Sequence, residues 1–80
     1  MSDITHKDFD FREPGHEWNA TVFFQDDLPI EVSVYVWKLD GTWETTMEED
    51  LEKVLGYKVK ISGMCTGNGH GGGKLTKVEP

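Results

Sequence analysis

Apolar and polar positions alternate most regularly in the run Ile30-Glu31-Val32-Ser33-Val34-Tyr35-Val36-Trp37. Period-two spacing of β-branched residues is the mark of a half-buried strand, with Ile30, Val32, Val34 and Val36 toward the core and Tyr35 and Trp37 away from it. Residues 17–25 repeat the pattern: Trp18, Ala20, Val22 and Phe24 share one face, and Asn19, Thr21 and Phe23 the other. Asp26-Asp27-Leu28-Pro29 reads as the turn between these two strands. Residues 1–16 are polar apart from Ile4, Phe9 and Phe11, and close on Pro14-Gly15. They predict an extended N-terminal arm or a short first strand.

A change of period follows. Met47, Leu51, Val54 and Leu55 fall at helical spacing, with Thr45 and Thr46 each three residues before a glutamate and Gly56 just beyond. That predicts a helix over 46–55 with a capping box at its start and a left-handed C-terminal stop. Before it, Asp40-Gly41 resembles a hairpin turn, with Trp43 starting a short returning strand. After it, Tyr57, Val59 and Ile61 alternate with lysines, residues 66–73 form a glycine-rich loop, and Lys74 to Val78 reads as a final strand. The expected fold is a single α+β domain spanning 1–80. In it, a small antiparallel sheet of four to five strands packs on one helix, in the order β-β-(β)-α-β-β.

Charge adds what the pattern lacks. Residues 1–52 hold 14 acids against Lys7, Arg12 and Lys38, a net of −11, whereas residues 53–80 hold Glu79 against five lysines, a net of +4. Asymmetry of this kind bears on partners, not on fold. The one cysteine, Cys65, excludes an intrachain disulfide and fits a reducing compartment. With no apolar run long enough for a signal peptide or a bilayer span, the expected location is cytoplasmic. A domain of this size also gains from sharing apolar surface, so a homodimer stays open.

Catalytic and cofactor chemistry finds little support. Gly67, Gly69 and Gly72 satisfy G-x-G-x-x-G, but the following Lys-Leu-Thr-Lys-Val reads as strand, so no helix N-terminus would meet a pyrophosphate. His6, His16, His70 and Cys65 share no metal-site spacing. No carboxylate is set convincingly among apolar neighbours. The expectation is a non-enzymatic chain without cofactor or metal.

Two surfaces then compete. Asp40, Glu44, Glu48, Glu49, Asp50 and Glu52, with Asp26 and Asp27, would make an acidic patch with Trp43 as its apolar anchor. Such a patch steers association with a basic protein that handles nucleic acid. Alternatively, Lys58, Lys60, Lys74 and Lys77 with Tyr35 and Trp37 would make a basic, aromatic sheet face suited to single-stranded nucleic acid. The segment Lys-Val-Lys-Ile-Ser-Gly-Met-Cys-Thr-Gly-Asn-Gly is similar to a strand and loop of oligonucleotide-binding barrels. The overall charge of −7 repels phosphate, and this places direct nucleic-acid binding second. A structural or assembly subunit is the third class.

In size, acidity and lack of a catalytic set, the chain resembles small phage-encoded inhibitors of host defence, of the anti-restriction and anti-CRISPR kind. The resemblance is one of profile, and these inhibitors share no single fold. It implies a stoichiometric binder that performs no chemistry, with the acids standing in for phosphates.

Overall fold

The computed structural model describes residues 3–67 and 69–78. Three strands, β1 (Ile4–Glu13), β2 (His16–Gln25) and β3 (Leu28–Leu39), precede the helix α1 (Trp43–Leu55), and β4 (Val59–Gly67) and β5 (His70–Lys77) follow it. Together they form one antiparallel sheet in the order β1-β2-β3-β5-β4. The α+β architecture, one antiparallel sheet with one helix, is therefore the expected one, but the fifth strand is the N-terminal β1 and not a strand at Trp43.

The core lies between the helix and one face of the sheet. Trp18, Ala20, Val22 and Phe24 of β2 and Val32, Val34 and Val36 of β3 are buried as their alternation requires. Val59, Ile61 and Leu75 continue the layer across β4 and β5, and Met47 and Leu51 of α1 cover it with no exposed surface. The N-terminal residues are no loose arm. β1 pairs with β2 over ten consecutive residues, and Phe9 and Phe11 pack partly buried against the core. Phe11 stacks on Trp18 at 4.5 Å.

Several boundaries differ from the sequence expectation, each for a physical reason. The turn before β3 tightens to Asp26-Asp27 alone, both at positive φ (54° and 65°), which is the backbone of a type I′ hairpin. Pro29 joins the strand and is buried opposite Phe24, while a register shift sets Ile30 aside as an extra, half-buried residue. Trp43 begins the helix instead of a returning strand. The cap is Thr42, which makes no side-chain bond, so the expected boxes at Thr45 and Thr46 do not form. Thr46 is instead buried and donates its hydroxyl to the Asp40 carbonyl. Starting one turn earlier lets Trp43 reach the core and extends the apolar stripe. Gly56 takes the left-handed stop as expected.

The glycine-rich stretch is the largest correction. Gly71, Gly72 and Gly73 are not in a loop but in β5, beside Val34, Ser33 and Val32 of β3. Gly69 explains why glycine is needed: at φ +82° its carbonyl accepts the Val36 N–H at 2.6 Å, and an added Cβ would lie 2.6 Å from the Val36 carbonyl oxygen. Asn68, within the same stretch, lies outside the described residues.

Candidate functional site: the uncovered sheet face

Helix α1 covers one face of the sheet and leaves the other open. The register sets His6, Asp8, Asp10 and Arg12 of β1 on that open face, opposite Phe23, Thr21, Asn19 and Glu17 of β2. Glu31, Ser33 and Tyr35 of β3 follow, paired with Lys74, Gly72 and His70 of β5. Ser62 and Lys60 of β4 complete the row.

Aromatic rings concentrate at one end of this face. A second register shift, between Glu17 and Trp18, makes Trp37 the extra residue of β3; like Tyr35 it points outward, and it is 57% exposed. Its ring lies 5.0 Å from Tyr35, and Tyr35 meets His70 edge-on at 4.2 Å. The Arg12 guanidinium sits 6.0 Å from the Trp37 ring centroid, within cation–π range. Toward the other end, His6 and Phe23 stand 6.0 Å apart. Between them Gly72 contributes no side chain. An open cleft of about 750 Å³ therefore lies over Phe23, Glu31, Ser33, Ser62 and Lys74.

The candidate residues expected from sequence divide sharply. Asp50 does not belong to any surface. It is 3% exposed and accepts the Trp18 indole N–H at 2.9 Å and a contact from His16 Nδ1 at 3.0 Å. Glu48 accepts the Ile61 backbone N–H at 2.8 Å and so ties the helix to β4. Trp43 is half-buried against the core and is no exposed anchor. Asp26 and Asp27 lie at the opposite end of β3 from Asp40, near the last turn of the helix, since Asp27 shares a groove with Val54 and Leu55. Glu44 and Glu49 are exposed on α1, and Glu52 is half-exposed. Only these three and Asp40 could meet a partner as one acidic patch.

The lysines also divide. Lys74 faces the open side, but Lys77 points the other way, opposite Val59, and lies 4.8 Å from the Tyr57 ring. Partial burial pushes the Tyr57 phenol above its usual range. Lys58 and Lys60 line a groove at the β4 edge together with Glu48, Glu49 and Glu52, so Lys60 stands at the rim of the open face and not within it. Four lysines do not make one basic face.

Reading the sequence set Phe23 on the face away from the core, with Asn19 and Thr21, because it is the apolar residue out of phase with its strand, but it missed Arg12 and His70 as members of the open face. His70 was not detectable, because its place opposite Tyr35 depends on the glycines being strand. Asp50 also left a trace: it sits among Met47, Leu51 and Val54 on the apolar stripe, where a carboxylate is out of place unless bonded.

Among the described residues, no group of three or more His, Cys, Asp or Glu side chains is placed to hold a metal ion, and Cys65 is exposed. No described helix is long and apolar enough to cross a membrane. Compared with protein-family models, characterised proteins and solved structures, the chain matches none.

Proposed function

We propose that this chain is a non-enzymatic protein-binding module whose contact surface is the open sheet face, centred on Trp37. The observation that carries the reading is the exposed Trp37 with Tyr35 and Arg12 against it. Trp, Tyr and Arg are the residue types that dominate binding energy at protein interfaces, and a central cluster of them contributes more than the surrounding contacts. A tryptophan more than half in water contributes little to the fold that holds it, which frees it for a partner.

The charge of the molecule selects the partner. The net of −7 creates a negative field, and the exposed Asp40, Glu44 and Glu49, with half-exposed Glu52, contribute to it from the helix side. Such a field speeds encounter with a basic surface. Proteins that hold nucleic acid offer the largest basic surfaces, so the finer reading is a stoichiometric inhibitor that occupies such a protein, in line with the profile of phage anti-defence inhibitors.

The open face itself disfavours phosphate. It carries Arg12, Lys38 and Lys74, with Lys60 at its rim, against Asp8, Asp10, Glu17 and Glu31, a balance of acids and bases that leaves no cationic track for a backbone to follow. One observation keeps a second reading, single-stranded nucleic acid stacked on Tyr35, His70 and Trp37: these rings lie on the adjacent central strands β3 and β5.

Affinity capture from cell lysate, comparing the wild-type chain with Trp37→Ala and Glu44→Lys/Glu49→Lys, tests the proposal. A basic protein held by the wild type and released by Trp37→Ala, with slower association for the double reversal, is the expected result. Retention unchanged by Trp37→Ala refutes it. Tight binding of a single-stranded oligonucleotide that weakens steeply between low and moderate salt supports the second reading instead.

A further inference from the structure

The sheet has two edges, and only one is guarded. At β4 a register shift between Ser62 and Cys65 breaks the strand, Lys58 and Lys60 line it, and the Glu48 side chain occupies the Ile61 N–H. Bulges, lysines and cover are the usual means of preventing a strand edge from pairing with another chain. β1 has none of the structural ones. Its ten residues pair with β2 without a register shift, contain no proline, and are exposed except for half-buried Phe9 and Phe11.

We infer that β1 pairs antiparallel with β1 of a second copy of this chain, about a two-fold axis through Asp10. Glu13 and His16 close a two-residue turn, so they form a hydrogen-bonded pair, and the alternation along the hairpin follows from it. The even-numbered residues, His6 to Arg12, therefore turn their N–H and C=O groups away from β2 toward the free edge. A two-fold normal to the sheet must place even residues opposite even ones.

Charge complementarity and paired length together choose among the registers. An axis through Phe11 sets Asp10 against Arg12 twice, but it pairs only residues 9–13 and leaves Lys7 and Asp8 unmatched. An axis through Phe9 sets Asp8 against Asp10 twice. An axis through Asp8 sets Lys7 against Phe9 and gains only His6 with Asp10. An axis through Asp10 sets Asp8 against Arg12 twice and Lys7 against Glu13 twice. It also sets Phe9 against Phe11 twice, in the non-hydrogen-bonded pairs where side chains approach most closely. The single unfavourable contact is Asp10 with its own copy. The axis leaves both helices on one side, so two open faces join into one ten-stranded surface.

Light scattering and sedimentation over a concentration series, together with cysteine cross-linking in a Cys65→Ser background, decide the matter. The expected result is a monomer–dimer equilibrium. Asp10→Cys should form an interchain disulfide on mild oxidation, since residues paired on the axis come within bridging distance, while Asp8→Cys does not. Arg12→Asp should weaken the dimer about tenfold by setting like charges opposite each other, and Asp8→Arg/Arg12→Asp should restore it. Asp10→Asn should tighten it. Circular dichroism confirms that each variant is folded. A monomer at every concentration, or a dimer that cross-links at position 8 and not at position 10, overturns the inference. So does a charge swap that fails to restore association in a folded protein.

Discussion

A carboxylate at 3% exposure persists in a protein interior only when its oxygens are occupied, and those of Asp50 are. The Trp18 indole N–H donates to it, and His16, itself part-exposed, closes the site toward solvent. The trio joins the start of β2 to the middle of α1, with Trp18 and Asp50 32 residues apart in sequence. Replacing Asp50 by Ala removes the acceptor and leaves a fully buried indole N–H unpaired. The expected cost is about 3 kcal/mol, a large share of the stability of a domain this small. Asp50→Asn keeps an oxygen for Trp18 and is expected to cost about 1 kcal/mol. Urea unfolding checks both: the midpoints should fall in that order with the slope unchanged, and equal midpoints for the two variants would contradict this account.

At the scale of elements, the β2–β3 hairpin carries avoidable strain. Asp26 and Asp27 both adopt left-handed backbone, and a type I′ turn prefers glycine at its second position. Asp27→Gly is expected to stabilise the fold by roughly 0.5–1 kcal/mol. That raises the thermal midpoint by about 3–6 °C in a domain of this length. A lowered midpoint would mean that the Asp27 side chain contributes more than its backbone costs. Such hairpins mark where sequence reading succeeds and fails. β2, β3 and the helix were legible because Trp18 to Phe24, Val32 to Val36 and Met47 to Leu55 keep a period that only one element satisfies. β5 was legible only from Lys74 onward, and its first half was not, since Gly71 to Gly73 carry no side chains and hence no period. Their strand assignment rests on backbone approach to β3, which is tertiary information. The bulge at Trp37 was hidden for a related reason: alternation predicted the outward side, but not the extra residue there. The acidic patch failed as a unit because linear spacing does not distinguish Asp50, turned inward, from Glu49, turned outward.

For the whole molecule, the same acids govern two responses to salt that have opposite signs. A net charge of −7 on a body with a radius of gyration of 12.0 Å repels itself, and the folded state holds those charges closer together than the unfolded chain does. The part-buried His16–Asp50 hydrogen bond is little affected by salt, and the groove that Lys58 and Lys60 line together with Glu48, Glu49 and Glu52 is open to solvent, so attraction there is screened as readily as repulsion. With a net of −7, repulsion is therefore the larger of the two terms that salt removes. Raising sodium chloride from about 0.02 to 0.2 M, which shortens the screening length from roughly 20 to 7 Å, should raise the thermal midpoint by about 2–5 °C. Over the same range, association with a basic partner should slow, because steering acts across that distance. Glu44→Gln/Glu49→Gln should reduce both responses, whereas Trp37→Ala should abolish binding and leave the thermal response intact. A midpoint that falls with salt would show that the internal Glu–Lys groove outweighs the net repulsion, and the negative field would then be too weak to select a partner.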